Sequence, residues 1–301
     1  MDRLDAMQVF VRVAELGSFS AVAAQLDVAR SVVTRQVAAL EKRLGVKLIA
    51  RTTRRLGLTA EGAGYLEKCR EILNLVEASE SALDGERATP RGHIRLGAPL
   101  AFGVRHVMPI VTDFVAAYPE VSIDLDLTDR RVNLVEEGID LSVRITSQLD
   151  DTAVARKLSV CRSTVVASPE YLKKRGTPRH PDDLVKHECF GYTPAMRSMW
   201  PFMIDGALTW VPVRGRIQSN NGDALLEPVI RGRGIAYQPT FLTCDAVRTG
   251  KLKVILTRHP PAELGIYAIY PGNRYVPHRV RVLADFLAVR LGPEPAWDKR
   301  K

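Results

Sequence analysis

The stretch Leu26–Arg55, LDVARSVVTRQVAALEKRLGVKLIARTTRR, limits the fold more than any other part of the chain. At about 100° of turn per residue, Val33, Val37, Leu40 and Leu44 lie within about 60° of one another and form one narrow apolar stripe that must be buried. Ser31, Thr34, Arg35, Ala38 and Lys42 fall on the far side, small and polar at its start and basic throughout. Ser, Thr and Ala keep a helix backbone close to whatever it binds, whereas Glu or Lys at every turn would suit solvent. From Val28 to Leu58, eight Arg or Lys stand against a single acid, Glu41, so most of the chain's net charge of +9 is concentrated here. The imbalance points to an anionic partner.

The flanking residues place this helix in a motif. Asp2 can cap a first helix whose Met7, Phe10 and Ala14 recur at helical spacing, and Gly17 supplies a left-handed stop. Ser20 is expected to cap a short helix, Ala21–Leu26, with Phe19 packing back on it as a staple. A short helix, a tight turn and a longer helix make the helix-turn-helix pattern. Gly45 ends the longer helix, and VKLIARTTRRLGLT then reads as a two-stranded wing with Arg51, Arg54 and Arg55 about its tip.

Thr59 caps a long helix running from Glu61 to about Glu86. Along it Leu66, Cys69, Leu73, Val76, Glu80 and Leu83 step by three and four, a coiled-coil seam broken once, at Glu80. Such a seam packs on the chain's own body or on a second copy. The linker-like DGERATPRG that follows favours a bridging helix that pairs with a second copy.

From Gly92 the texture changes. HIRLGAP, VSIDLDLTD and IDLSVRI read as strands, with helices at LAFGVRHVMPIVTDFVAAYP and RRVNLVEEG between them. STVVAS, RIQSN and GIAYQP continue as strands, with helices at DALLEPVIRG and TFLTCDAVRTG. Strands alternating with helices predict a parallel sheet. LGIYAIYP and the helix VPHRVRVLADFLAVRL look like a return to the first sheet. A length of 301 residues fits about two domains. Cys69, Cys161, Cys189 and Cys244 are far apart with no matching His spacing, so neither a metal site nor a disulfide framework is indicated. The acids and Arg in MDRLDAMQVFVRVAELGS exclude a signal peptide, and nowhere do 18 apolar residues run uncharged, so a cytoplasmic protein without membrane association is expected.

The segment GSFSAVAAQLDVARSVVTRQVAALEKRLGVKLIARTTRRLGLTAEG resembles the winged helix-turn-helix of LysR-type transcriptional regulators, through its spacing of Ser, Gln, Leu-Glu, Leu-Gly, Arg and Leu-Thr. YPEVSIDLDLTDRRVNLVEEGIDLSVRI and VRGRIQSNNGDALLEPVIRGRGIAYQP resemble the family's effector-binding domain, so the likeness covers essentially the whole chain. It implies an α and α/β protein: an N-terminal winged helix-turn-helix (1–60), a coiled-coil linker helix and hinge for dimerisation (61–91), and a C-terminal periplasmic-binding-protein-like α/β effector domain (92–293). Subdomain I is expected over 92–161 and 265–293, and subdomain II over 162–264. The resemblance further implies an effector-modulated, sequence-specific regulator that forms a homotetramer on roughly palindromic double-stranded DNA and contacts RNA polymerase. Two residues depart from the family pattern: Asp27 stands where Gly is usual, and Ala29 where Ser caps the recognition helix.

The candidate DNA contacts are Arg30, Ser31, Thr34 and Arg35 in the major groove, with Arg54, supported by Arg51 and Arg55, at the minor groove or its phosphates. An Arg can bond guanine O6 and N7 as a fork; Arg35 is the better candidate for phosphate. Ligands in open α/β sheets lie beyond the carboxyl ends of strands, near helix N-termini. That points to Ala98, Pro99, Leu100 and Ala101, to Thr128 and Arg144, to Asn220 and Asn221 before a second helix, and to Pro239. Two facing N-termini together with Arg144 favour a small carboxylate. Leu66, Cys69, Leu73, Val76 and Leu83 are the candidate dimer contacts. The chain has no Gly-x-Ser-x-Gly, P-loop or dinucleotide fingerprint, and HEC at His187 lacks zinc-helix spacing, so no catalysis, cofactor or metal is expected. The alternative is a solute sensor whose basic helix binds nucleic acid without sequence preference.

Overall fold

The computed structural model describes residues 2–51, 56–84, 89–150, 153–192, 198–272 and 276–299, the side chains of residues 51, 77, 78 and 80–84 excepted. The chain forms two compact units, the first of residues 1–89 with 274–278 and the second of residues 90–273 with 279–301.

In the first unit, α1 (Arg3–Leu16) opens under Asp2, which accepts the Leu4 N–H at 3.1 Å, and stops at Gly17, φ 60°. α2 (Phe19–Gln25) is capped by Ser18, which accepts the Ala21 N–H at 3.2 Å, and not by Ser20 as expected. The earlier start puts Phe19 on the same helical face as Val22 and Ala23, and all three are buried. Asp27 takes the left-handed turn, φ 51°, that usually calls for glycine. α3 (Arg30–Leu44) follows from Ala29, which makes no side-chain cap, and ends at Gly45, φ 73°. β1 (Ile49–Arg51) and β2 (Leu56–Leu58) pair antiparallel, Ile49 opposite Leu58. α4 (Ala60–Asp84) starts on Thr59, whose Oγ1 accepts the Gly62 N–H at 2.9 Å. A Cβ on Gly62 would lie 2.0 Å from the Leu48 carbonyl oxygen, so only glycine lets α4 start this close to the chain entering β1.

The core of this unit gathers Phe10, Val13, Val22, Val33, Val37, Leu40 and Leu48 from α1, α2, α3 and the approach to β1. Each large side chain buried here contributes about 1.5–3 kcal/mol.

The second unit holds two five-stranded sheets. β3 (Gly92–Ala98) leads into a helix from Leu100 to Ala117, made of α5 (Leu100–Phe102), one π segment (Gly103–Val107) and α6 (Met108–Ala117). β4 (Val121–Leu127), β5 (Leu141–Thr146) and β6 (Val154–Cys161) complete the outward path. The second sheet is built from β7 (Ser163–Ala167), β8 (Cys189–Tyr192), β11 (Gln218–Ser219), β12 (Ile235–Pro239) and β13 (Lys253–Ile255). α7 (Pro169–Arg175) lies between β7 and β8, α8 (Gly222–Ile230) precedes β12, and α9 (Thr240–Arg248) follows it. β14 (Leu264–Tyr270) and α10 (His278–Leu291) return to the first sheet, whose order is β4-β3-β5-β14-β6. The second reads β11-β8-β12-β7-β13.

Neither sheet is wholly parallel, contrary to the sequence expectation. The chain leaves the first sheet through Cys161 and comes back at Leu264, directly opposite it in the register, so β6 and β14 must run in opposite directions. β14 is antiparallel to β5 as well, and β7 to both β12 and β13. The helix expected at RRVNLVEEG is a series of turns instead. Asn133 Oδ1 accepts the Val135 N–H at 3.1 Å, a local bond that competes with helix, and Gly138 turns the chain at φ 62°. A hairpin, β9 (Met199–Ile204) with β10 (Ala207–Pro212), was not anticipated. It turns on Asp205 and Gly206, both at positive φ, and buries Trp200 and Phe202.

The helix Leu100–Ala117 is long and apolar enough by composition to cross a membrane. One face of it packs in the core, with Phe102, Val107, Val111 and Phe114 buried, while Val104 and Met108 are exposed and Asp113 pairs with Arg290 at 3.1 Å.

Candidate functional site

Two surfaces hold the expected functional residues, one in each unit. On α3 the stripe Val33, Val37 and Leu40 is buried and Leu44 packs partly against the same core. Arg30, Ser31, Arg35, Ala38 and Lys42 are exposed on the other side, with Thr34 half-buried. The single acid of the basic run is absent from that face. Glu41 is buried, its Oε1 accepting the N–H groups of Leu48 at 3.0 Å and Ile49 at 3.2 Å while its Oε2 meets Lys47 Nζ at 2.7 Å. Burial pushes its carboxyl up, but Lys47 and the two backbone donors outweigh that and hold it below the usual range. The outward face of α3 is therefore free of negative charge. Arg51 lies in β1, its side chain outside the described residues, as are Arg54 and Arg55.

The seam on α4 is oriented differently from the expectation. Leu66 and Cys69 are buried in the core of their own unit and Leu73 packs against it. The spacing by three and four is met because one face of α4 covers α1, which occupies those residues without a second copy. Val76 is half-buried, and the Leu83 side chain lies outside the described residues. The large apolar side chains that α4 exposes are Ile72, at 40%, and Leu75, at 58%.

Between the two sheets of the second unit lies a cavity of about 380 Å³. Ala98, Pro99, Ala101, Thr128, Arg144 and Pro239 line it, whereas Leu100, Asn220 and Asn221 do not. At each of the two helix N-termini one N–H is taken by the chain itself. The Leu100 N–H donates to Asp129 Oδ1 at 3.1 Å, and Tyr192 donates to the same carboxyl from the other sheet. Asn221 caps α8 by accepting the Ala224 N–H at 3.0 Å. Arg144 donates from Nη2 to the Val132 carbonyl at 2.8 Å.

Several lining residues were missed. Asp129, Ser163, Tyr192, Tyr237 and Gln238 supply polar groups, and Phe102, Phe241 and Leu264 supply apolar wall. Asp129 directly follows Thr128, and Gln238 directly precedes Pro239, so the strand-end rule that found one neighbour could have found both. Burial pushes the Asp129 carboxyl up against the Leu100 N–H and the Tyr192 hydroxyl, which lower it, and burial and Asp129 together push the Tyr192 hydroxyl up.

Other contacts tie the two sheets. Arg105, in the π segment, meets Asp223 of α8 at 2.5 Å, and the rings of Phe102 and Phe241 meet edge-on at 5.2 Å. Arg162, in the link from β6 to β7, pairs with Glu263 at 3.0 Å, Glu294 at 3.0 Å and Asp298 at 3.1 Å, fastening the C-terminal segment over both links. Trp297 from that segment packs against His106, ring centroids 4.2 Å apart and planes tilted by 48°. Among the described residues no cluster of His, Cys, Asp or Glu could hold a metal ion.

Two family models match the chain. The family model described as "Bacterial regulatory helix-turn-helix protein, lysR family" matches residues 4–63, and "LysR substrate binding domain" matches residues 87–291. The chain is similar to the HTH-type transcriptional regulator CrgA of Neisseria meningitidis serogroup C, 35% identical over 289 residues, covering 95% of this chain and 96% of that protein. It is also similar to the HTH-type transcriptional activator TtdR of Escherichia coli K12, 30% identical over 292 residues, with 95% and 94% covered. The solved structure of CrgA from Neisseria meningitidis is similar with a TM-score of 0.61 at 33% identity, covering 96% of this chain and 98% of that one. The chain belongs to the LysR family of DNA-binding transcriptional regulators with an effector-binding domain.

Proposed function

We propose that the exposed face of α3 reads a promoter sequence and that a small molecule in the cavity between the sheets modulates that reading. The observation that carries the DNA half is the separation of charge on α3: Arg30, Ser31 and Arg35 face outward while Glu41 is withdrawn into the core. Arg30 and Ser31, with Thr34, contact base edges; Arg35 positions on phosphate; Arg54, supported by Arg51 and Arg55, reaches the neighbouring minor groove. The missing cap at Ala29 fits this role. Ala29 offers no side-chain acceptor and its carbonyl takes the Val32 N–H at 2.9 Å, which leaves the N–H groups of Arg30 and Ser31 to bond a DNA phosphate.

A two-fold protein suits a roughly palindromic site. The exposed pair Ile72 and Leu75 extends along α4 where a second copy can cover it, so these residues, with Val76 and Leu83, form the pairing surface in place of Leu66, Cys69 and Leu73. The assembly is a dimer or tetramer that acts in the cytoplasm, contacts RNA polymerase and carries out no catalysis. The cavity residues Ala98, Pro99, Ala101, Thr128, Arg144 and Pro239 border the effector, with Leu100, Asn220 and Asn221 in support.

Fluorescence anisotropy of the full chain on DNA from the region upstream of its own gene tests this reading against a base-shuffled control. Tighter binding to the native sequence at equal salt is expected. Equal affinity for both would favour a sensor that binds nucleic acid without sequence preference.

A further inference from the structure

At the two helix N-termini, side chains of the chain itself already take N–H groups that an anionic ligand would use. The Leu100 N–H is held by the chain's own Asp129 carboxyl, and the N-terminus of α8 is capped by Asn221 and carries Asp223 in its first turn. Among the ionisable residues lining the cavity, Asp126, Asp129 and Asp150 balance Arg130, Arg131 and Arg144. A carboxylate bound beside Asp129 would face a second carboxyl, and desolvating a charge against a like charge is costly.

Among the described residues that line the cavity, one buried side-chain group has no hydrogen-bond partner. Gln238 on β12 lines the cavity, is only 1% exposed, and its Nε2 has no hydrogen-bond partner. A buried amide donor without an acceptor costs about 1–3 kcal/mol, which an arriving acceptor recovers. The last torsion of a glutamine is broad and nearly two-fold, so the carboxamide can turn its nitrogen to an acceptor in the cavity. Phe102 and Phe241, both buried, add aromatic wall to the cavity. Apolar walls with one unpartnered neutral donor suit a ring that carries one oxygen, and 380 Å³ is near the small end of the range of about 300–1,000 Å³ usual for such sites.

We propose that the cavity takes a small uncharged ring compound with one carbonyl acceptor, held by the Gln238 carboxamide beside Phe102 and Phe241. This replaces the carboxylate expected from the sequence and rests on reading the cavity as the effector site.

Isothermal titration of the full chain with acetophenone and cyclohexanone against benzoate, cyclohexanecarboxylate and benzylamine tests it, with hydrogen exchange locating any bound compound. The ketones should bind, protecting the ends of β3 and β12, and should weaken about tenfold in Gln238→Met, which keeps the length and removes the N–H, the equivalent of one neutral hydrogen bond. Asp129→Asn should admit benzoate. A carboxylate or benzylamine that binds the wild-type cavity more tightly than its matched ketone would overturn the uncharged class and leave the effector cavity standing. Ketones whose protection maps outside the cavity would instead contradict the cavity reading itself. Ketone affinity unchanged in Gln238→Met, or no binding by any compound, would overturn the proposal; the wild-type comparison decides the ligand class even where Gln238→Met does not fold.

Discussion

Asp129 accepts the backbone N–H of Leu100 at 3.1 Å, so the first helix of the second unit is capped by a carboxylate that lies 29 residues further along the chain. Tyr192 shares that carboxyl from the opposite sheet. Asp129→Ala leaves both donors without their acceptor and should lower stability by about 1–3 kcal/mol. Asp129→Asn keeps an oxygen for Leu100 and should lose less. Urea denaturation measures both, and an Asp129→Ala variant as stable as wild type would show that the cap carries no weight.

Glu41 holds the start of the wing to the end of the reading helix through Leu48 and Ile49. Glu41→Ala leaves two buried N–H groups unpaired and should cost about 2–3 kcal/mol. Because its carboxyl is held below the usual range when folded, the stability it contributes is present above the unfolded value near 4.5 and lost as pH falls through the lower folded value. A Glu41→Gln variant, which keeps an acceptor oxygen, should retain part of the stability and lose part of this acid dependence. Chemical denaturation at neutral and acid pH checks the pair, and an unchanged acid limb in Glu41→Gln would contradict it.

His106 sets a second pH dependence, of the same direction. Burial, and then the charge of Arg105, pulls its imidazole down from 6.5 to about 4, and its Nε2 is buried without a partner. The unfolded chain therefore binds a proton that the folded chain refuses between those values, and stability should fall as pH drops from about 6.5 toward 4. His106 alone should account for about 2 kcal/mol between pH 8 and pH 5. In His106→Phe that part of the decline should vanish from the pH profile of the denaturation midpoint; a profile identical to wild type would refute the assignment.

Ile72 and Leu75 are exposed on α4, while Leu66 and Cys69 are committed to the core. Leu75→Glu should therefore weaken self-association with little change in monomer stability. Leu66→Ala should destabilise the fold by about 2–5 kcal/mol. Sedimentation velocity and denaturation read the two effects separately, and a Leu75→Glu protein that assembles like wild type would place the pairing surface elsewhere.

Much of the first unit was legible because its signals are local. Asp2, Gly17, Gly45 and Thr59 act within a few residues of themselves, and the α3 stripe needs only its own period. Ser18 was passed over for Ser20 because the choice turns on where Phe19 is buried, which is a tertiary matter. The same holds for α4: spacing shows that a face is covered, and not by what. In the second unit the strand ends located Ala98, Thr128 and Pro239, but the residue that closes the Leu100 N–H lies 29 positions away, beyond any local pattern. The β9–β10 hairpin carried a legible signal, Asp205-Gly206 between apolar runs. The antiparallel pairing of β14 was hidden, because it follows from the chain leaving and re-entering the first sheet at one place.

The salt dependence of DNA binding by the full chain, measured for wild type and Arg30→Ala on the preferred and shuffled sequences, tests the central claim most directly. If the α3 face and the wing engage about six phosphates, affinity should fall roughly 10³-fold or more between about 50 and 200 mM salt. Arg30→Ala should then lose about 1–3 kcal/mol on the preferred sequence and much less on the shuffled one, as removal of a base contact requires. A flat salt response, or equal losses on both sequences, would contradict the assignment of this helix as the one that reads DNA.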